Sequence, residues 1–410
     1  MAAQRLSRDR EFVYRAINEG ADVSAMRAYQ ELLGRARALV PTLRGRAERA
    51  EKLGRLDPET ERDLHEAGLF RLLQPARIGG AELDYVALID FPAEIARGDA
   101  SVAWSLANLL SHHWMLAMFP APAQARVWGE NPDALIASAF MFPCGRARAV
   151  EGGYRLSGRW PFSSGVRSSQ WNMLGGMVES GELRVFLVPA SDYRILGTWD
   201  AMGLRGTGSD DVEADDVFVP GAMTVAVAEL AGGVAPGAAV NPNPLYQLPV
   251  FALFAFVLSG CALGNAQACL EDFEASARQR ASSYSRAKIA DLQSIQIRIA
   301  AASARIDAAR RIMRGRCLEA MADARAGDIP DMARRVAYRR DGAFAVNLCT
   351  EAVNILFKAS GAGGLARAGA MQRQFREAHA IDSHIAFSFD AAGANYGRVA
   401  LGLASENPTL

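Results

Sequence analysis

Lysine is nearly missing from this chain: Lys52, Lys288 and Lys358 stand among 45 basic residues, and the rest are arginine. A net charge is missing too, because 45 acidic residues balance them. The arginines are scattered among acids and form no stripe, so no field draws nucleic acid or an anionic membrane surface, and neither partner is expected. Cys144, Cys261, Cys269, Cys317 and Cys349 show no paired spacing and no CxxC, which removes the zinc and redox-disulfide readings, and no metal site is expected. An odd cysteine count fits a reducing compartment. Met1 to Ala25 carries charges every few residues and lacks the apolar core of a secretory leader, so the expected location is cytoplasmic. The longest apolar run, Val250 to Leu263, contains Ser259 and Gly260 and is too short for a membrane span. It is expected to be a buried helix.

What is present is a globular composition: 410 residues, 50% hydrophobic, enough for two or three cored domains. Residues 26–135 have helical period, with Asp57-Pro58 as a helix start, Gly68 as its stop, and Asp99 as the cap of a helix from Ala100 to Phe119. Residues 136–225 switch to short β-rich runs broken by Gly, Ser and Pro, with Glu151-Gly-Gly153 as a hairpin turn. Residues 226–248 are rich in Gly, Pro, Ala and Asn and read as a linking loop. Residues 249–410 are helical again, with long patterns from Ile289 to Ala320 and Met332 to Lys358 suited to an antiparallel bundle.

Two separated blocks carry more than composition. One is Gly203-Leu-Arg-Gly-Thr-Gly-Ser209 ahead of Val217-Phe-Val-Pro220. The other is Gly361-Ala-Gly-Gly364, then Phe375-Arg376-Glu377-Ala378, then His384. With the α–β–α order, these resemble the acyl-CoA dehydrogenase superfamily over most of the chain. The resemblance implies a mostly α fold: an N-terminal helical domain, a middle β-barrel and a C-terminal four-helix bundle. In true dehydrogenases of that group a Glu-Gly-Thr often follows, and its glutamate removes the substrate α-proton. Here the residues are Asp382-Ser383-His384-Ile385-Ala386. That difference points to the flavin-dependent monooxygenase branch, similar to the 4-hydroxyphenylacetate-type aromatic hydroxylases.

The resemblance assigns candidates residue by residue. Trp160-Pro-Phe-Ser-Ser-Gly165 lies where small hydroxyls meet the flavin N5 region, with Ser163 the better candidate and Ser164 the alternate. Trp104, Asn108 and His112 are spaced by four and fall on one side of a helix, while His113 points about 100° away. A lone histidine is more often a satisfied core residue. The match of Trp104, His112, Ser163 and His384 together favours a substrate pocket. An imidazole ordinarily titrates near neutrality and can serve as base or donor, which makes His384 a catalytic candidate; His379 is expected to be structural. Phe140 and Phe142 pack near the ring system. Gly361, Gly363 and Gly364 form a turn that approaches a flavin phosphate or ribityl chain, and are no dinucleotide fingerprint, because a helix and not a strand precedes them. Arg278, Arg280 and Tyr284 are the cofactor-binding arginine and aromatic candidates, with Arg280 and Tyr284 preferred.

The implied function is the oxygenase component of a two-component monooxygenase. It uses reduced FMN, or FAD, from a separate NAD(P)H-flavin reductase, and O2 by way of a C4a-hydroperoxide, to hydroxylate a small aromatic or heteroaromatic molecule. A homotetramer is expected. The competing readings are an FAD-dependent acyl-CoA dehydrogenase, which needs a base such as Asp382 or Asp390, and a non-catalytic flavin-binding paralogue.

Overall fold

The computed structural model describes residues 23–281, 288–367 and 369–410. Among these residues five helices come first: α1 Val23–Leu53, α2 Pro58–Glu66, α3 Ala87–Ala96, α4 Ala100–Leu116 and α5 Ala121–Trp128. Asp57 caps α2, accepting from the Glu59 amide at 3.0 Å, and Pro58 fills the first helical position, where its missing N–H costs nothing. Asp99 caps α4 by accepting from the Ser101 and Val102 amides at 2.8 and 3.2 Å. Every residue of α4 is buried, so this helix runs through the interior and needs no polar face.

Eight strands follow: β1 Ile136–Ala139, β2 Gly145–Val150, β3 Gly153–Ser163, β4 Trp171–Val178, β5 Leu183–Pro189, β6 Arg194–Ile195, β7 Asp210–Pro220 and β8 Thr224–Ala226. Gly152, at φ +78°, makes the β2–β3 hairpin turn. The strands pair in the order β6-β7-β3-β2-β4-β5-β8, and β1 adds to β4 in parallel. The hydrogen-bonded path forms one mixed sheet at the centre of the fold and ends on β6 and β8, which are two and three residues long.

Five helices complete the chain: α6 Val250–Gln279, α7 Gln293–Ala326, α8 Met332–Ser360, α9 Ala370–Asp382 and α10 Phe389–Ala400. By length and composition α6 could cross a membrane, yet 89% of its most apolar stretch is buried within the fold. It packs on α3 through glycines: a Cβ on Gly264 would lie 2.0 Å from the Ala93 carbonyl oxygen, and one on Gly260 2.6 Å from that of Ile89. Gly264→Val is therefore expected to force the two helices apart and lower the urea midpoint by about 1–3 kcal/mol equivalent or more. Gly315→Ala, whose Cβ meets open space on α7, should leave the midpoint unchanged or raise it.

The two sequence blocks singled out above are one contact. Glu377 on α9 accepts from the Leu204 amide at 2.7 Å, and Arg376 donates to the Met202 carbonyl and to Glu51 of α1, both at 2.5 Å. Gly203 is required there, because a Cβ would lie 2.5 Å from the Arg376 carbonyl oxygen. Burial pushes the Glu377 carboxyl up to about 8, and neighbouring Asp99 adds to the shift. The Phe375–Ala378 block thus fastens the loop before β7 to the helices on either side.

Candidate active site

Four elements bring aromatic and imidazole rings together: α4, the end of β1, the start of α6 and the turn after α9. Trp104 meets His384 edge-on at 5.4 Å between centroids, and His384 lies 6.2 Å from Phe254. Phe254 lies 6.1 Å from Phe140, which in turn lies 6.1 Å from His112. Phe251 packs against Phe140, Phe142 and Phe254 at 5.7, 5.6 and 6.4 Å. Trp104 and His112 are buried, whereas Phe140, Phe254 and His384 are only partly so. Ser138, on the same face of β1 as Phe140, has no hydrogen-bond partner for its hydroxyl among the described residues.

The two imidazoles are held in opposite tautomers, assigned from their partners. His112 Nδ1 lies 2.6 Å from the Ile136 carbonyl, which can only accept, so Nδ1 carries the proton and Nε2 keeps a lone pair. His384 Nδ1 accepts from the Ala386 amide at 3.2 Å, so its proton sits on Nε2. Burial pushes both down to about 4, opposed at His112 by the Ile136 bond and reinforced at His384 by the Arg339 charge. Both rings are therefore neutral near pH 7, one presenting an acceptor and the other a donor.

Asn108 shares the α4 face, with its amide donating to the Trp104 carbonyl at 3.0 Å. His113 faces elsewhere, taking the Trp128 indole N–H at 3.1 Å. His379 bonds Asn354 at 2.9 Å, outside the cluster.

Ser163 and Ser164 point to opposite sides. Ser163 is fully buried and accepts from Asn172 of β4 at 3.0 Å, within the sheet. Ser164 accepts from the Trp104 indole at 3.0 Å and so belongs to the cluster. Its proton is committed through a chain of hydroxyls. Thr207 donates to the Leu204 carbonyl at 2.8 Å, so Ser209 donates to Thr207 at 2.6 Å and Ser164 donates to Ser209 at 2.8 Å. Ser164 is left with a single acceptor position.

Phe162 precedes this pair at φ +65°, beside a bulge in the β3–β7 register, with 62% of its surface exposed. A non-glycine residue held there costs of order 1–3 kcal/mol, and such strain gathers at ligand sites. Its neighbour is Trp199, edge-on at 6.3 Å. Sequence reading missed Phe162, Phe251 and Phe254; the only available signal was an aromatic next to the paired serines.

Arg278 is engaged by Glu274 at 2.8 Å. Arg280 is exposed and lacks a carboxylate partner among the described residues. It reaches the Ser360 carbonyl at 3.5 Å, and its guanidinium is 3.6 Å from the position of a Cβ on Gly363. Arg280 and the Gly361–Leu365 turn are thus adjacent, while Tyr284 lies outside the described residues. Asp382 is taken by the Asn347 amide at 2.6 Å, and Asp390 is exposed in the first turn of α10.

A helical wrapping around a sheet, with glycines facing a bare arginine and hydroxyls beside an aromatic cluster, defines an acyl-CoA dehydrogenase-like flavoprotein. The N-terminal domain of acyl-CoA dehydrogenases matches residues 29–130 and the C-terminal domain residues 256–389. The oxygenase subunit of a flavin-dependent monooxygenase from Rhodococcus jostii is 35% identical over 371 residues, 89% of this chain and 97% of that protein. The oxygenase component of an FADH2-dependent resorcinol hydroxylase from a Rhizobium species is 33% identical over 388 residues, 91% of this chain and 94% of that protein. The crystal structure of 3-HSA hydroxylase from Rhodococcus superposes with a TM-score of 0.88 at 35% identity, covering 93% of this chain and 99% of that one. The chain belongs to the flavin-dependent monooxygenase oxygenase components within the acyl-CoA dehydrogenase family.

Proposed function

We propose that the protein hydroxylates a small phenolic or related aromatic ring held against Trp104, Phe140 and Phe254. The observation that carries this reading is the pair of oppositely wired imidazoles, His112 and His384, on one aromatic cluster. An acceptor and a donor on one aromatic cluster suit a ring whose hydroxyl must lose a proton as an oxygen atom arrives. His112 Nε2 would take the phenolic proton, which raises electron density on the ring carbon to be attacked. His384 Nε2–H would donate to the oxygen being delivered. Trp104 and the phenylalanines would exclude water.

The residues suit a flavin. Exposed Phe162 offers a flat face, Ser164 an acceptor, and Arg280 with Gly361, Gly363 and Gly364 a cationic glycine turn for phosphate. Reduced FMN or FAD, when bound, supplies the electrons with which one oxygen atom of O2 enters the ring and the other leaves as water. Ser164 has only an acceptor to give, which matches flavin N5–H, a donor in the reduced ring alone. Among the described residues no βαβ unit for NAD(P)H is present, so a separate reductase would supply the reduced flavin. A homotetramer remains our expectation. The dehydrogenase alternative loses its two bases, since Asp382 is bonded to Asn347 and Asp390 is exposed.

The test is turnover with a flavin reductase, NADH and a panel of phenols, with hydroxylated product and hydrogen peroxide both quantified. Product formed only when reductase is present supports the reading; peroxide alone, for every phenol, rejects it. Ser164→Ala is expected to weaken reduced-flavin binding about tenfold, the worth of one buried hydrogen bond, and to leave oxidised flavin unaffected. Ser163→Ala should cost about 1 kcal/mol of stability through Asn172 without changing that ratio.

A further inference from the structure

We infer that Arg339 is the counter-ion for an acidic group on the substrate, so that the site selects aromatic carboxylates over neutral rings of the same shape. The inference rests on the aromatic cluster being the substrate site.

Arg339 lies on the stripe of α8 that faces α6. One turn further along α8, Gly342 sits so close to α6 that a Cβ would be 2.5 Å from that of Ala255. One turn back along both helices, the Arg339 guanidinium stands beside the Phe251 carbonyl at 3.5 Å. Phe251 is a member of the cluster, and the Arg339 charge is felt at His384, another member. Arg339 therefore approaches the cluster from the bundle side.

Its surroundings do not account for its charge. Among the described residues no carboxylate lies within 4.0 Å of the Arg339 guanidinium, and the long Phe251 contact is its one hydrogen bond. The neighbouring Arg340 differs: it pairs with Asp341 at 2.6 Å and lies over the Tyr396 ring at 4.0 Å. Burial alone pushes the Arg339 guanidinium down to about 10. A desolvated guanidinium without an anion is costly unless a ligand brings one, and its planar fork fits a carboxylate in two parallel bonds. The partly buried members of the cluster, Phe140, Phe254 and neutral His384, offer no competing anion.

The experiment measures dissociation constants by calorimetry on the full chain, with and without bound flavin. The probes are matched pairs, 4-hydroxybenzoate, 4-hydroxyphenylacetate and 4-hydroxyphenylpropionate, each against its primary amide. In the parent protein at least one acid should bind ten or more times tighter than its amide. Arg339→Met should erase that difference and leave amide binding within about twofold, and Arg339→Lys should restore part of it. Acid and amide binding equally well to the parent would overturn the Arg339 assignment and leave the substrate site standing. An acid preference that survives in Arg339→Met would do the same, placing the counter-ion elsewhere. If neither acids nor amides bind the parent, while Trp104→Ala changes nothing, the substrate-site reading falls and the inference with it.

Discussion

Alanine at His384 is expected to leave the enzyme consuming reduced flavin and O2 while its yield of hydroxylated product falls at least tenfold, the lost turnover emerging as hydrogen peroxide. The ring's Nε2–H is the donor fixed by the Ala386 amide, and alanine puts nothing in its place. A hydrogen bond formed to developing charge is worth about 1.5–3 kcal/mol, which is roughly ten- to a hundredfold in rate. His112→Ala should also depress product, with a different signature. Its Nε2 is an acceptor for a phenolic proton, and that service is needed only while the phenol is protonated. The defect should therefore shrink as the pH rises toward the phenol's own ionisation near about 10, whereas the His384→Ala defect should persist. Product by chromatography and peroxide by a coupled assay, across pH 7 to 10, separate the two roles. Identical pH profiles for both variants would defeat the division of labour.

The second large effect is on stability in acid. His112 is pushed down to about 4 and His113 to about 3, each chiefly by burial, with His112 and Arg71 adding to the shift at His113. The ordinary value is 6.5. Above that pH both states hold these rings neutral, and the folded protein gives up nothing. Between 6.5 and about 4 the unfolded chain takes protons that the fold refuses, so stability falls as the pH falls. One pK unit is worth about 1.4 kcal/mol, so the two buried rings together amount to several kcal/mol over that interval. Urea midpoints from pH 7.5 to 4.5 should drop with a slope of about two protons, three from His112, His113 and His384 less one from Glu377, whose carboxyl, pushed up to about 8, keeps in the fold a proton that the unfolded chain releases. His113→Gln, whose carbonyl can still take the Trp128 N–H, should remove about one of them. A flat profile over this range would show that the rings are solvated in the folded protein.

Much of the scaffold was legible because its signals are local. Asp57 and Asp99 cap helices as their neighbours predict, and Gly152 turns the hairpin. The spacing of Trp104 and His112 predicted a shared helical face, and both rings do reach one cluster. What stayed hidden depends on contacts between distant segments. Nothing local distinguishes Ser163 from Ser164, since the bulge that sends them to opposite sides belongs to the register with β7. Phe251 and Phe254 read as ordinary core residues of an apolar helix, because only the docking of α6 beside β1 makes them a wall. Arg339 was one arginine among many until the packing of α8 on α6 left it without an acid.

The two imidazoles owe their wiring to main-chain groups, the Ile136 carbonyl and the Ala386 amide. The direction in which a substrate can be read is thus written into the backbone. Repeated exchange of side chains around the rings, in a laboratory or over generations, can change which molecule enters. With His112 and His384 in their proposed roles, it would not reverse the sense of proton flow across the molecule once seated.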